Sequence, residues 1–178
     1  KSSGQTNTGS KDEDVVVTSL FFEYQAANGR AIGIDIVPGE AELGSGTGAD
    51  DDAETTGANK ASAELTSHNT VYALIPLGGT GIYVKGGVAR ATVDTTETLA
   101  TGTTYGNEDV DGLMIGAGFQ RDGSNGLFFR AEATYTDYEE VKFNGSFNGN
   151  AAGDSAVRNV VDADIDATAL RISLGKSF

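Results

Sequence analysis

His68 is the only histidine in the 178-residue chain, and Ser67 stands beside it in TSHNT. A serine next to an imidazole suggests an acyl hydrolase or transferase, with the serine attacking and the imidazole taking its proton. The spacing opposes it. Adjacent residues on a strand point to opposite faces, so the two make a poor dyad, and no catalytic residue is assigned. The absence of cysteine removes disulfides, thiolate nucleophiles and zinc–thiolate sites. Carboxylates remain. Asp50, Asp51 and Asp52 are consecutive, while Asp162, Asp164 and Asp166 alternate in DADID and would share a face if a strand extends that far. Such oxygen-rich clusters attract hard cations, and calcium is the one cofactor they suggest, although the regular spacing of a calcium-binding hand is missing. The plainer reading is an anionic loop surface in water, with no metal.

A third group of charges is spread singly through apolar alternation: Glu23, Asp35, Lys85, Arg130, Glu132 and Arg171. Isolated charges of both signs in mid-strand are expensive unless they face water or one another. The formal charge of −14 excludes nucleic acid as a partner, because a phosphate backbone needs a basic surface. Glycine runs such as GTGAD and GAGFQ lack the strand–turn–helix setting of a phosphate loop and read as loop flexibility and close strand packing.

The elements that must position these residues are strands. β-branched, aromatic and glycine residues alternate with period two, and amphipathic helices are hard to find. Seven strands are predicted, over residues 15–25, 29–38, 66–77, 82–93, 110–120, 126–138 and 167–178. The connections AANG, GGTG and RDGSNG are short. The others, about 40–65, 94–109 and 139–164, are long and polar, and residues 1–14 look like the end of one more. Short and long connections alternate, so all the long ones lie at one end of a meander, together with nearly all the acid. The chain 1–178 reads as a single domain.

An antiparallel meander hides its edges by closing into a barrel. Two barrels fit. In a soluble, lipocalin-like barrel the apolar face would line a ligand cavity. In a membrane barrel it would face lipid, and the interior would be small and polar. The second is favoured. Leu113, Ile115 and Phe119 oppose glycines, and Leu170, Ile172 and Leu174 oppose Arg171 and Ser173. Phe178, the last residue, shares the apolar parity and suits an interfacial aromatic girdle. No run reaches the roughly 18–20 apolar residues of a membrane helix, but that test misses barrels. The six mid-strand charges are then expected to pair inside the barrel and fill it.

GIYVKGGVARATV, GLMIGAGFQ, GLFFRAEATYTDY and LRISLGKSF resemble the opacity-like family of small eight-stranded bacterial outer-membrane barrels, related to the transmembrane domain of the outer-membrane protein A type. The likeness covers about 65–178 well and the earlier part in pattern. It matches Tyr83 to Ala89 to a glycine-rich strand, and Arg130 and Glu132 to an inward pair on the penultimate strand. It makes Leu170, Ile172, Leu174 and Phe178 part of the signal read by the barrel-assembly machinery, with Lys176 where an aromatic is common. It implies a non-enzymatic outer-membrane protein, long loops outward and short turns toward the periplasm, in contact with lipid and lipopolysaccharide. The role implied is structural, adhesive or surface-interacting through acidic loops, with a porin-like narrow channel for small solutes as the alternative. Bacterial barrels have even strand numbers. Seven visible strands therefore lead us to expect a first strand, and a removed signal peptide, ahead of residue 1.

Overall fold

The computed structural model describes residues 10–50, 57–99, 104–144 and 160–178. Ten strands are seen among them: β1 (Leu20–Gln25), β2 (Ala31–Ile36), β3 (Ala41–Asp50), β4 (Gly57–Pro76), β5 (Ile82–Thr98), β6 (Glu108–Asp122), β7 (Leu127–Tyr138), β8 (Val141–Asn144), β9 (Val160–Ala163) and β10 (Asp166–Lys176). The fold is all-β and antiparallel. Seven strands pair in the order β1-β2-β4-β5-β6-β7-β10 and curl into a half-barrel. These are the seven strands expected from the sequence. With seven in the path, β1 and β10 run in the same direction, and neither has a partner on its outer edge among the described residues.

The short connections are tight because their residues accept a left-handed backbone. At AANG the Gly29 amide donates to the Ala26 carbonyl at 2.9 Å, with Gly29 at φ 80°. At RDGSNG, Gly123 N–H bonds the Leu127 carbonyl at 2.7 Å across a 3-10 turn, with Asn125 and Gly126 both at positive φ. The Ser177 amide donates to the Gly126 carbonyl at 2.8 Å, which fixes the end of β10 to this turn.

The long connections differ from expectation. The segment 40–65, read as a loop, forms β3 and the first half of β4, which pair from Ala41↔Leu65 to Asp50↔Gly57. β4 and β5 continue beyond the barrel wall as strands of 20 and 17 residues, so 94–98 is strand rather than loop. Within 139–164, β8 and β9 form a separate hairpin. In the other direction, residues 15–19 are not strand, and Val16 is fully exposed. Leu20 pairs with Ile36, and the next residue, Val37, donates its amide to the His68 carbonyl instead, so the chain before Leu20 has no β2 partner.

The two faces differ sharply. Outward positions carry Leu20, Phe22, Ile32, Val71, Val84, Leu113, Ile115, Leu170, Ile172 and Leu174, all exposed. Inward positions hold the buried residues. At the long-loop end Ala89, Ala91, Val93, Val110, Tyr138, Val141 and Phe143 form an apolar cluster, joined by Leu43, Leu65 and Tyr105. The β8–β9 hairpin thus caps the mouth with Val141 and Phe143.

Candidate functional site

The inner face below that cap collects all six mid-strand charges singled out in the sequence. Arg130 on β7 reaches across to β1 and holds Glu23 with two parallel bonds, Nη1 to Oε1 at 2.7 Å and Nη2 to Oε2 at 2.8 Å. The same guanidinium donates to the Gln120 side-chain oxygen at 2.6 and 3.2 Å. It is enclosed by the rings of Phe21, Tyr83 and Phe128, each 5.2–5.3 Å from its carbon. A planar cation with five donors suits such a site, since it takes a carboxylate bidentately and lies against aromatic faces at once.

Lys85 on β5 pairs with Glu132 on β7 at 3.2 Å and sits 3.8 Å above the Tyr72 ring. The Tyr72 hydroxyl donates to Glu23 Oε1 at 2.7 Å and so joins the two pairs. Arg171 on β10 bonds Asp35 on β2 and lies 3.8 Å from Glu132. Three acids therefore meet three bases, and the interior charge balances. Two of the contacts, Glu23–Arg130 and Asp35–Arg171, cross the open side of the half-barrel and tie β1 and β2 to β7 and β10. Among the described residues the buried Asp35 Oδ1 has no hydrogen-bond partner.

Glycines make room for these long side chains. Gly33 is directly opposite Tyr72, Gly118 opposite Tyr83, Gly112 opposite Tyr138 and Gly175 opposite Phe128. In every pair the ring lies where a Cβ on the glycine would be. The aromatic covers the bare backbone of its neighbour, and the barrel stays narrow without emptying. Sequence reasoning missed Phe21, Tyr72, Gln120 and Phe128 as members of the network. For Phe21, Gln120 and Phe128 the signal was parity, since each lies two residues from an inward charge or glycine on its own strand, Glu23, Gly118 and Arg130; Tyr72 has no such neighbour on β4.

Other predicted residues are not brought together. Asp51 and Asp52 lie outside the described residues, and Asp50 ends β3. Asp162 belongs to β9, where it accepts from Lys142 at 3.3 Å, whereas Asp166 opens β10. The strand breaks between them, so the DADID acids do not share one strand face. Among the described residues no group of three or more acids or histidines is arranged to hold a metal ion. Ser67 sits at φ 53° in a bulge of β4 between Thr66 and Asn69. It is exposed, while His68 is half-buried with its ring edge-on to Tyr138 at 6.2 Å.

A different carboxylate group appears on the outward face of the extended hairpin. Glu42, Glu64 and Asp94 form one row across β3, β4 and β5. A hydrogen bond shared with Glu40, and repulsion from it, raises the Glu64 pKa above the ordinary carboxylate range. Nearby, Thr92 and Arg90 donate to Asp109 and lower its pKa. At the edges of the sheet, Leu170, Ile172, Leu174 and Phe178 all point away from the interior, with Phe178 over the short-turn end. No protein-family model, no curated protein and no solved structure matches this chain.

Proposed function

We propose that this chain forms the wall of a small bacterial outer-membrane barrel, anchoring an acidic exterior structure in the lipid rather than conducting solute. The observation that carries this reading is the height of the exposed apolar belt. On β6, Leu113, Ile115, Ala117 and Phe119 face outward between Asp111 and Arg121; on β10, Thr168, Leu170, Ile172 and Leu174 do so between Asp166 and Lys176. Ten residues separate the flanking charges on both strands. At about 3.3 Å per residue and a tilt of roughly 40°, that is about 25 Å, the height of the apolar band of a membrane barrel. Leu170, Leu174 and Ile172 are 87, 81 and 77% exposed. A soluble protein rarely shows water so large a continuous apolar surface.

The neutral, ion-paired interior supports a filled wall over an open pore. Closing the cylinder takes one further strand, antiparallel to both β1 and β10 since those run alike. The role left for the protein is at the long-loop end, where the β3–β4–β5 extension and the β8–β9 hairpin stand above the belt as a surface for adhesion or interaction. The partners supported are outer-membrane lipid and lipopolysaccharide and, by the resemblance of the final strand, the assembly machinery.

The test is extraction and gel migration. The protein should require detergent to leave the membrane fraction and should migrate differently on a gel when unheated and when boiled. A chain that is soluble without detergent, with identical migration in both states, refutes the membrane reading.

A further inference from the structure

The charges of the described residues are sorted by height in a way that the anchoring role does not require. Inside, Lys85, Arg130 and Arg171 are all paired. Toward the long-loop end, Lys11 pairs with Glu13, Arg90 with Asp109 and Asp111, and Lys142 with Glu140 and Asp162, while Lys60 on the outer hairpin is the exception and forms no ion pair among the described residues. At the short-turn end the pattern reverses. Arg30, Arg121 and Lys176 are exposed, and none of them forms an ion pair among the described residues. The one acid near them, Asp122, takes a hydrogen bond from Gln120 at 2.8 Å.

All three cations have lipid-facing parity. Arg30 precedes the outward Ile32, Arg121 follows Phe119, and Lys176 follows Leu174. They also share one level. The row Ala31–Leu74–Lys85–Gly116 starts one residue above Arg30 and arrives on β6 five residues above Arg121. The row Arg121–Phe129–Leu174 arrives on β10 two residues above Lys176. Strands about 4.8 Å apart and tilted by roughly 40° shift by about 1.2 residues from one to the next, which accounts for the climb of four residues over the three steps from β2 to β6 and of two over the two steps from β6 to β10. Lys176 Nζ lies 5.2 Å from the centre of the Phe178 ring, so an interfacial aromatic accompanies it.

We propose that Arg30, Arg121 and Lys176 form a collar that binds the phosphate groups of anionic phospholipids in the leaflet on the short-turn side. This rests on the membrane-barrel reading above. Arginine takes a phosphate bidentately, and lysine reaches the headgroup level from a stem that lies along the apolar belt. The opposite rim carries outward Asp94, Asp109, Asp111, Asp137 and Asp166, which repel the same headgroups.

The experiment refolds the full chain into vesicles of phosphatidylcholine alone, then into nanodiscs of phosphatidylcholine with one third phosphatidylglycerol. Lipids co-purifying with the protein are counted by native mass spectrometry at low salt. A cation close to an anionic membrane surface contributes about fivefold in partition, so each collar site should enrich phosphatidylglycerol over phosphatidylcholine about fivefold relative to the bulk lipid. R30Q/R121Q/K176Q should lose that enrichment, and R90Q/K142Q, at the other rim, should keep it. Equal enrichment in the collar variant and the unaltered chain overturns the proposal while leaving the barrel intact. Failure of the unaltered chain to insert into phosphatidylcholine refutes the barrel itself and the collar with it.

Discussion

Replacing Arg130 with methionine tests the interior most directly. The guanidinium is almost wholly buried and makes two bonds to Glu23 and two to Gln120. Methionine fills much of the volume between the Phe21, Tyr83 and Phe128 rings but offers no donor. Glu23, 12% exposed in its side chain, is left with the Tyr72 hydroxyl as its nearest donor. Removing one partner of a buried pair costs about 3–5 kcal/mol, because the remaining charge is stranded. Removing both is different. Glu23→Leu with Arg130→Met abolishes the stranded charge and should cost no more than about 2 kcal/mol, since an apolar replacement of similar volume is often near neutral. The two single changes must therefore be strongly non-additive, with a coupling of about 3 kcal/mol or more. The measurement is urea unfolding of the protein refolded in detergent or lipid, followed by far-ultraviolet circular dichroism and by gel migration. Additive single changes, or an Arg130→Met variant within about 1 kcal/mol of the unaltered chain, would refute a sealed, ion-paired interior, because a solvated pair is worth no more than that.

The outward face gives a depth-dependent test: Ile115→Arg, at mid-belt, should destabilise the inserted protein by about 2–4 kcal/mol, and Thr168→Arg, near the edge, by no more than about 1. Equal, small effects in a urea titration would place both in water. Gly118→Val puts a branched side chain where the Tyr83 ring lies and should cost about 1–3 kcal/mol as an overpacked core does; adding Tyr83→Ala should restore part of it, and no restoration would show that ring and glycine are not in contact. Planar bilayer recordings should find near-zero conductance for the unaltered chain; steady unitary currents would restore the channel reading. At the long-loop end two pH effects oppose one another. Glu64 has its pKa raised, so its contribution to the β3–β4 hairpin is full below its unfolded value and fades as pH rises through the folded one. Asp109 has its pKa lowered, so its pairing with Arg90 and Thr92 is present above the unfolded value and lost as pH falls through the folded one. Protection factors in β3, taken relative to the intrinsic exchange rate at each pH, should therefore fall on moving from pH 4.5 to 7, with Glu64→Gln removing the fall. An unaltered protection factor in the parent chain would dismiss the Glu40–Glu64 interaction.

The barrel strands were legible because their two faces differ at nearly every step. Outward positions are apolar and inward ones small or charged, so β6 sets Leu113, Ile115 and Phe119 against Gly112, Gly116 and Gly118, and β10 sets Leu170, Ile172 and Leu174 against Arg171, Ser173 and Gly175. The outer hairpin was illegible for the converse reason. AELGSGTGAD in β3 has no apolar face and is poor in strand-forming residues, and it is held by pairing with β4, which propensity does not contain. Residues 66–77 are apolar on both faces, so alternation alone does not assign their register, and the bulge at Ser67 and His68 shifts it. Ser67 and His68 stand opposite the single Ala91, and this one extra residue turns His68 toward the interior, so a strict period-two reading cannot follow the chain through that point.

The six interior charges were found one strand at a time, by parity, whereas their partners depend on curvature. Glu23 and Arg130 are 107 residues apart and lie on strands that are not neighbours, so only the closing of the sheet brings them into contact. What makes that contact affordable is the set of glycines opposite the aromatic rings. Gly33, Gly118 and Gly175 let the Tyr72, Tyr83 and Phe128 rings lie against the wall beside the Glu23–Arg130 pair, and Gly112 does the same for Tyr138 in the apolar cluster above. Glycine content that looks like looseness in the sequence therefore acts as close packing in the fold. A single branched residue at Gly118 would push the Tyr83 ring off the wall and into the guanidinium it now encloses.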